Sequence, residues 1–257
     1  YSMGGLTNGG DYISNIDKIT FSTDTTAAFP SNLPDGVQSN QTMSSDSAGY
    51  ATGGQGPSPS GWDRSTVSKM SFSTGTFSAS GNLPTYQHHG IGMSAGSDNL
   101  PFSAPPASTP GTPSTTTVKS ISGVPNTGYF GGGDPGNNNS VKRFNFSNET
   151  TSTIPATLSQ SRELTGGTSS ITYGYFSGGR SPYYSITDRV TYSNDTVGRI
   201  PGANTITNIA DCLGSGVRSY GILGGGMSPT RRNYAQKLSF ADETISNDGS
   251  LPEARQA

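Results

Sequence analysis

The sequence lacks most of the side chains on which disulfide scaffolds, metal sites and many enzymes depend. It contains one cysteine among 257 residues, Cys212, so no disulfide can form within the chain. There is also one tryptophan, Trp62, and the two histidines, His88 and His89, are adjacent. Because neighbouring strand residues point to opposite faces, the histidines are not expected to share an ion. The sequence therefore predicts no metal site and no cofactor.

Charge and long apolar runs are equally scarce. Charged residues make up 12% of the chain and the formal net charge is −2. No stripe of lysine or arginine is present, which argues against a nucleic-acid partner. No apolar run approaches the length of a transmembrane helix and no signal-peptide pattern opens the sequence, so membrane insertion is not expected. Because the sequence starts and stops inside a repeat, we expect it to belong to a longer or processed protein.

The residues that remain are small, polar and turn-forming. Hydrophobic residues account for 29% of the chain, whereas glycine and proline number 36 and 17. No helical periodicity longer than two turns is present. Low charge separates this composition from that of charged disordered segments. Many short strands joined by Gly, Pro and Asn turns predict an all-β fold with a thin, segmented core.

One pattern occurs five times, as an apolar strand ending in Gly-Gly, a loop, an alternating strand and a polar turn. The aromatic residues before the turn are Phe21, Phe72, Phe146, Tyr192 and Phe240, and the last glycines of the pairs are Gly5, Gly54, Gly133, Gly179 and Gly226. Both markers recur at just under fifty residues, with one longer interval. A period of this size is typical of a stacked supersecondary unit. We predict one domain with repeats at about 1–48, 49–96, 128–170, 171–215 and 216–257, and a Pro/Ser/Thr-rich insertion at about 97–127.

Within each repeat the alternation has period two, which predicts a strand followed by a hairpin turn. A basic residue lies three positions before each aromatic marker and is interpreted as covering a polar sheet face. These residues are Lys18, Lys69, Arg143, Arg189 and Lys237. The turns carry Asp24, Glu149, Asp195, Asp242 and Glu243, which are interpreted as turn formers. The glycine pairs are interpreted as structural, since no Walker-type lysine follows them.

These features resemble a kelch-type β-propeller blade. The resemblance extends to a Leu-Pro-X-X-Arg-like ending, seen at 158–162 and 251–255. The chain departs from the family in lacking the tryptophan of the fourth strand in every copy. The sequences Phe-Ser-Asn-Glu-Thr at 146–150, Tyr-Ser-Asn-Asp-Thr at 192–196 and Gly-Tyr-Phe-Gly-Gly-Gly at 128–133 are similar to those of kelch-like repeat proteins of marine phages, especially cyanophages. Those proteins are thought to form tail fibres or other virion appendages. The resemblance implies about five four-stranded blades; a larger parent propeller or an open array remains an alternative.

The resemblance implies a non-enzymatic structural or adhesive module of a virion appendage, located on a virion or an extracellular surface. Expected partners are other virion or filament proteins, further copies of the chain and host polysaccharide. Glycan contacts are predicted at Trp62, Tyr183, Tyr184, Asn137, Asn138 and Asn139. The alternative is a structural subunit of an extracellular microbial filament. An enzyme is not expected, because no nucleophile–His–acid set is evident and the turn carboxylates are too dispersed to pair.

Overall fold

The computed structural model describes residues 2–7, 9–20, 23, 25–45, 47–57, 64–95, 126–134, 136, 138–216 and 219–255. All regular structure in this part of the chain is β. The strands are β1 (Ser2–Leu6), β2 (Tyr12–Thr20), β3 (Thr25–Ala28), β4 (Gln41–Ser44), β5 (Ala48–Thr52), β6 (Thr66–Ser71), β7 (Phe77–Asn82), β8 (Ile91–Ala95), β9 (Thr127–Gly131), β10 (Ser140–Asn145), β11 (Thr150–Thr157), β12 (Gly166–Ser169), β13 (Tyr173–Ser177), β14 (Thr187–Thr191), β15 (Thr196–Arg199), β16 (Leu213–Gly216), β17 (Tyr220–Gly224), β18 (Arg232–Ser239) and β19 (Ile245–Arg255).

The strands form five antiparallel sheets in chain order, so the predicted all-β fold is confirmed as a five-bladed β-propeller. Among the described residues the first sheet holds three strands, β1 to β3. The other four sheets hold four strands each: β4–β7, β8–β11, β12–β15 and β16–β19. Every strand pair is antiparallel and connects neighbours in the chain.

The sheets are offset from the sequence repeats. The first strand of each later sheet comes from the end of a preceding repeat, as β4 and β8 show. A repeat therefore contributes three strands to one sheet and one strand to the next, which links neighbouring sheets covalently. The long interval falls inside the third sheet, between β8 and β9, and Thr127 is the first residue of β9. Residues 97–125 of the predicted insertion lie outside the described residues.

The core is divided into layers, each lying between two successive sheets. Between the third and fourth sheets, for example, Tyr129 and Phe176 are fully buried against Met93 and Val190. Large aromatic side chains, among them Tyr129, Phe176 and Tyr192, contribute to this layer, which helps a chain with so few hydrophobic residues to keep a core.

A recurring contact, called here the inter-sheet clasp, joins the third sheet to the fourth. Tyr129 stacks on Tyr192 with ring centroids 5.3 Å apart. The Tyr129 hydroxyl donates to Asp195 Oδ1 at 2.6 Å, and Arg143 Nη1 donates to Asp195 Oδ2 at 2.5 Å. Burial, and the bond it donates to Asp195, raise the pKa of Tyr129. One turn carboxylate thus accepts hydrogen bonds from a phenol and a guanidinium of the preceding sheet.

The clasp recurs at the neighbouring interfaces. Between the fourth and fifth sheets, Tyr175 stacks on Phe240 at 5.2 Å while Arg189 donates twice to Glu243, at 2.8 and 2.9 Å. Between the second and third sheets, Tyr50 stacks on Phe146 at 5.1 Å and Lys69 pairs with Glu149. The basic residues at these three positions therefore form ion pairs between sheets, which the interpretation as a polar cover did not foresee.

Each clasp carboxylate belongs to a residue with left-handed backbone. The φ angles of Glu149, Asp195 and Glu243 are 55°, 56° and 53°. At the equivalent position of the second repeat stands Gly75, with φ of 68°. The interface between the first and second sheets thus lacks this carboxylate, and Lys18 is exposed. These turn residues connect sheets in addition to closing their own hairpins.

Candidate functional site

A set of interacting polar side chains lies at one end of the sheets, called here the glycine rim. It comprises the loops that follow Gly54, Gly133, Gly179 and Gly226, together with the segments that precede β4, β8, β12 and β16. At Gly133 the chain leaves its strand with φ of 100°, after 70° at Gly132. The Gly133 amide then donates to Arg162 O at 2.9 Å, in the segment that leads to the next sheet.

Short backbone bridges hold the two parts of the rim together. They pair Gln38 with Gln55, His88 with Asp134, Glu163 with Arg180, and Ala210 with Met227. The four bridges occupy equivalent positions in the repeats. Each places a side chain from the segment before a sheet beside one from the loop of that same sheet. The polar side chains at three of these bridges form a row along the rim.

The first half of this line runs from the second sheet to the third. Gln38 Nε2 donates to Gln55 Oε1 at 3.2 Å, and Gln55 Nε2 lies 3.2 Å from His88 Nε2. His88 Nε2 lies in turn 3.4 Å from Asp134 Oδ2. His88 is 4% exposed, so its ring is held inside the rim with this carboxylate nearer to solvent.

The second half runs from the third sheet to the fourth. His89 Nδ1 lies 3.4 Å from Glu163 Oε2, and Arg180 donates to Glu163 Oε1 from Nε at 3.0 Å and from Nη2 at 2.8 Å. Burial lowers the pKa of His89, and the neighbouring His88 lowers it further. The bond to Glu163 raises the pKa of Arg180. Burial raises the pKa of Asp211, which lies near Arg180.

The expectation that His88 and His89 point to opposite faces is wrong. Their rings meet edge to face with centroids 4.5 Å apart. The reason is local, because His88 forms the bridge to Asp134 and His89 takes a left-handed conformation with φ of 53°. Alternation of side chains holds only for extended backbone, and the chain turns at His89 before β8 begins.

As a result, His88, His89 and Asp134 offer three ligand atoms that all lie within 4.8 Å of one another. Imidazole and carboxylate groups together are donors that divalent transition metals accept. Glu163, whose side chain is 7% exposed, stands beside His89. The described part of the rim therefore combines two imidazoles, two carboxylates and one guanidinium in a single connected network.

The residues predicted to bind glycan lie on the same rim where they are described. Tyr183 and Tyr184 are half-buried in the loop after Gly179. Asn138 donates to Gly133 O at 3.1 Å and accepts from Ser140 N at 3.2 Å, while Asn139 donates to Leu158 O at 3.4 Å. Asn138 thus holds its own loop in shape, and Asn139 ties that loop to the segment after β11. Trp62 and Asn137 lie outside the described residues.

The repeat markers occupy equivalent places. Gly54, Gly133, Gly179 and Gly226 have φ between 91° and 116°, and Gly5 lies in β1. Phe146 and Tyr192 are buried, whereas Phe72 is 40% exposed at the interface whose turn carries Gly75. Phe240 stacks on Tyr175. Phe21 lies outside the described residues.

Sequence reasoning missed Gln55, Asp134 and Glu163. Each repeat has a different residue at these positions, so no repeated pattern marks them. The available signal was the adjacent histidine pair followed by Gly90, where the backbone is free to turn.

The described part of the chain contains no helix that could cross a membrane. No family model matches the sequence, and no curated protein matches it at a significant level.

Proposed function

We propose that this chain is a non-enzymatic structural and adhesive module of a phage virion appendage, such as a tail or neck fibre. Two features support the proposal. The repeat sequences resemble those of kelch-like proteins of marine phages, and inter-sheet clasps of charged and aromatic groups join the second sheet to the third, the third to the fourth and the fourth to the fifth. The observation that carries the proposal is an uncovered face on the fifth sheet.

That face differs from the corresponding face of the fourth sheet. In the fourth sheet, β12 is buried at Gly166, Gly167 and Thr168, because the fifth sheet packs on it. In the fifth sheet, all four residues of β16 are exposed. Leu213 on this strand is 57% exposed, a large exposed fraction for an apolar side chain.

The same face carries one half of a clasp. Lys237 lies over the Tyr220 ring at 4.4 Å, just as Arg189 lies over Tyr173 at 4.4 Å. Arg189 also pairs with Glu243 of the following sheet, but no carboxylate pairs with Lys237 in the part of the chain that the structure describes. The fifth sheet thus presents the basic half of an interface that occurs three times inside the chain.

By sequence spacing, we assign the complementary half to the first repeat of a neighbouring copy. In the first repeat, Phe21 and Asp24 occupy the sequence positions of Phe240 and Glu243. Both residues lie outside the described residues and are assigned by their sequence spacing alone. End-to-end contact between copies would extend the internal interface and produce a homo-oligomer of the kind that fibres require.

Sedimentation velocity over a range of concentrations tests the assembly. Lys237→Glu should weaken self-association, because it places like charges against Asp24, and the swap Lys237→Glu with Asp24→Lys should restore it. Arg231→Glu is the matched control, since Arg231 is exposed on the rim loop and carries the same charge. A chain that stays monomeric at all concentrations would overturn end-to-end assembly.

Immunogold electron microscopy of native material tests the location. Label on phage tails or necks supports the virion appendage. Label along free fibrils would instead support the alternative function, a subunit of an extracellular microbial filament, which the uncovered face also favours. Host attachment is tested by screening glycans with the wild type and with Tyr183→Ala and Tyr184→Ala, both of which should reduce binding if the rim contacts sugar.

A further inference from the structure

We propose that His88, His89 and Asp134 form a binding site for a divalent transition metal ion of the zinc class, beside the carboxylate of Glu163. The proposal concerns the glycine rim and does not depend on the assembly described above.

The spacing of the donor atoms fits such an ion. In a tetrahedral site with ligands about 2.1 Å from the metal, neighbouring ligand atoms are about 3.4 Å apart. His88 Nε2 and Asp134 Oδ2 are 3.4 Å apart. Since the ligand atoms of His88, His89 and Asp134 lie within 4.8 Å of one another, small side-chain rotations would bring them onto one ion.

The backbone positions these groups before any ion arrives. His88 and Asp134 exchange two backbone hydrogen bonds, at 3.0 and 3.3 Å, which hold the two side chains on the same bridge. The His89 carbonyl accepts from Leu164 N at 2.7 Å, which places Glu163 beside the second imidazole. A site held by backbone in this way loses little conformational entropy when it binds.

The local charge also favours a cation. Asp134 and Glu163 supply two carboxylates, and Arg180 balances one of them through its bond to Glu163. With neutral imidazoles the cluster keeps one net negative charge. Two histidines and a carboxylate are a ligand set that zinc accepts, with a further carboxylate or water completing four-coordination. The ion would displace the Gln55 amide from its contact with His88 Nε2.

A bound ion would join two separate segments of the third sheet's rim. His88 and His89 precede β8, whereas Asp134 lies in the loop after β9. Metal binding should therefore raise the thermal stability of the folded chain, since an ion that binds only the folded state shifts the unfolding equilibrium.

The test uses the whole chain after treatment with a chelator, titrated with zinc chloride in a calorimeter. We expect saturable binding of one ion per chain. Asp134→Asn and His89→Gln should each weaken binding by about tenfold or more, a loss of the size seen when ligand-shell groups are removed. Both residues are partly exposed, so these substitutions should leave the fold intact, which circular dichroism checks. Asp248→Asn is the matched control, because Asp248 is an exposed carboxylate on β19.

Cobalt provides an independent readout, since a tetrahedral site with nitrogen ligands produces visible absorption bands that both variants should lose. Zinc should raise the melting temperature of the wild type and of Asp248→Asn, but not of Asp134→Asn. Absence of saturable binding, or binding that persists unchanged in both Asp134→Asn and His89→Gln, would overturn the proposal and indicate adventitious ions at the surface only.

Discussion

Two buried cations at equivalent depth have different partners. Arg162, with a side chain 0% exposed, donates to Asp188 Oδ2 at 2.8 Å, and that carboxylate is equally buried. Lys142 is 3% exposed and donates to the neutral Gln87 Oε1 at 2.7 Å. Burial therefore lowers the pKa of Lys142 to about 8, from its ordinary value of 10.5. A charge that is removed from water without a counter-ion costs stability. Burial also lowers the pKa of Arg162, but the neighbouring Asp188 carboxylate acts in the opposite direction.

The stability of the chain should therefore depend on the charge of Lys142. Its pKa is lower in the folded chain, so between about pH 8 and 10.5 the unfolded chain binds more protons and stability rises with pH. The full effect corresponds to about 3 kcal/mol. Urea denaturation at several pH values should show this rise in the wild type but not in Lys142→Met.

The wild type must be compared with Lys142→Met because the titration of other buried groups lowers the free energy of unfolding as pH rises. Burial raises the pKa of Cys212 to about 12 and also raises that of Tyr192, so both oppose stability at high pH. These contributions are common to both proteins and cancel in the difference. Identical pH profiles for the wild type and Lys142→Met would contradict the assignment.

At the scale of the element, the glycine pair after the second strand of a sheet determines how the chain enters the rim. Gly133 has φ of 100°, and a Cβ atom there would lie 2.8 Å from His88 O. Gly136, three residues later, has φ of 81°, but a Cβ atom there would meet nothing within 4 Å. A substitution at Gly136 therefore measures the free-energy cost of left-handed backbone alone. A substitution at Gly133 adds the cost of a steric clash between the new Cβ atom and the neighbouring backbone.

We expect Gly133→Ala to destabilise the chain by about 3 kcal/mol or more, since both costs apply. Gly136→Ala should cost about 1 kcal/mol, because only the left-handed backbone opposes it. Urea denaturation of the two variants measures the difference. Equal losses would show that close backbone approach at Gly133 does not matter.

In the whole molecule, neighbouring sheets are joined in three ways. Each repeat contributes strands to two sheets, aromatic rings stack between sheets, and the inter-sheet clasps add ion pairs. Most carboxylates of the clasps are partly shielded from solvent; the Asp195 side chain, for example, is 24% exposed. A hydrogen bond to a charged group contributes about 1.5–3 kcal/mol, more than an exposed ion pair does. Cohesion between sheets therefore depends on polar contacts as well as on the thin apolar layers.

Asp195→Asn should destabilise the chain by about 1–3 kcal/mol, because Arg143 and Tyr129 lose a charged acceptor while asparagine still tolerates the left-handed turn. A double-mutant cycle with Arg143→Met should give a coupling energy of about 0.5 kcal/mol or more. Thermal and urea denaturation supply the values. Strict additivity of the two substitutions would show that the ion pair contributes nothing.

The all-β class and the five repeats could be predicted from the sequence. Period-two alternation, turn residues and glycine pairs are local signals, and each repeat contains them. The sequence also located the recurring cations and turn carboxylates. It could not show that Arg143 reaches Asp195, since the two lie on different sheets and their pairing depends on how sheets stack.

Which side chains come together on the glycine rim depends on the tertiary structure. His88 and His89 share a site because one backbone angle departs from the strand, and Asp134 and Glu163 join them through bridges between distant parts of the chain. No local pattern encodes those contacts. Packing also decided which faces are covered, since exposure of the fifth sheet depends on what lies beside it and not on its own residues.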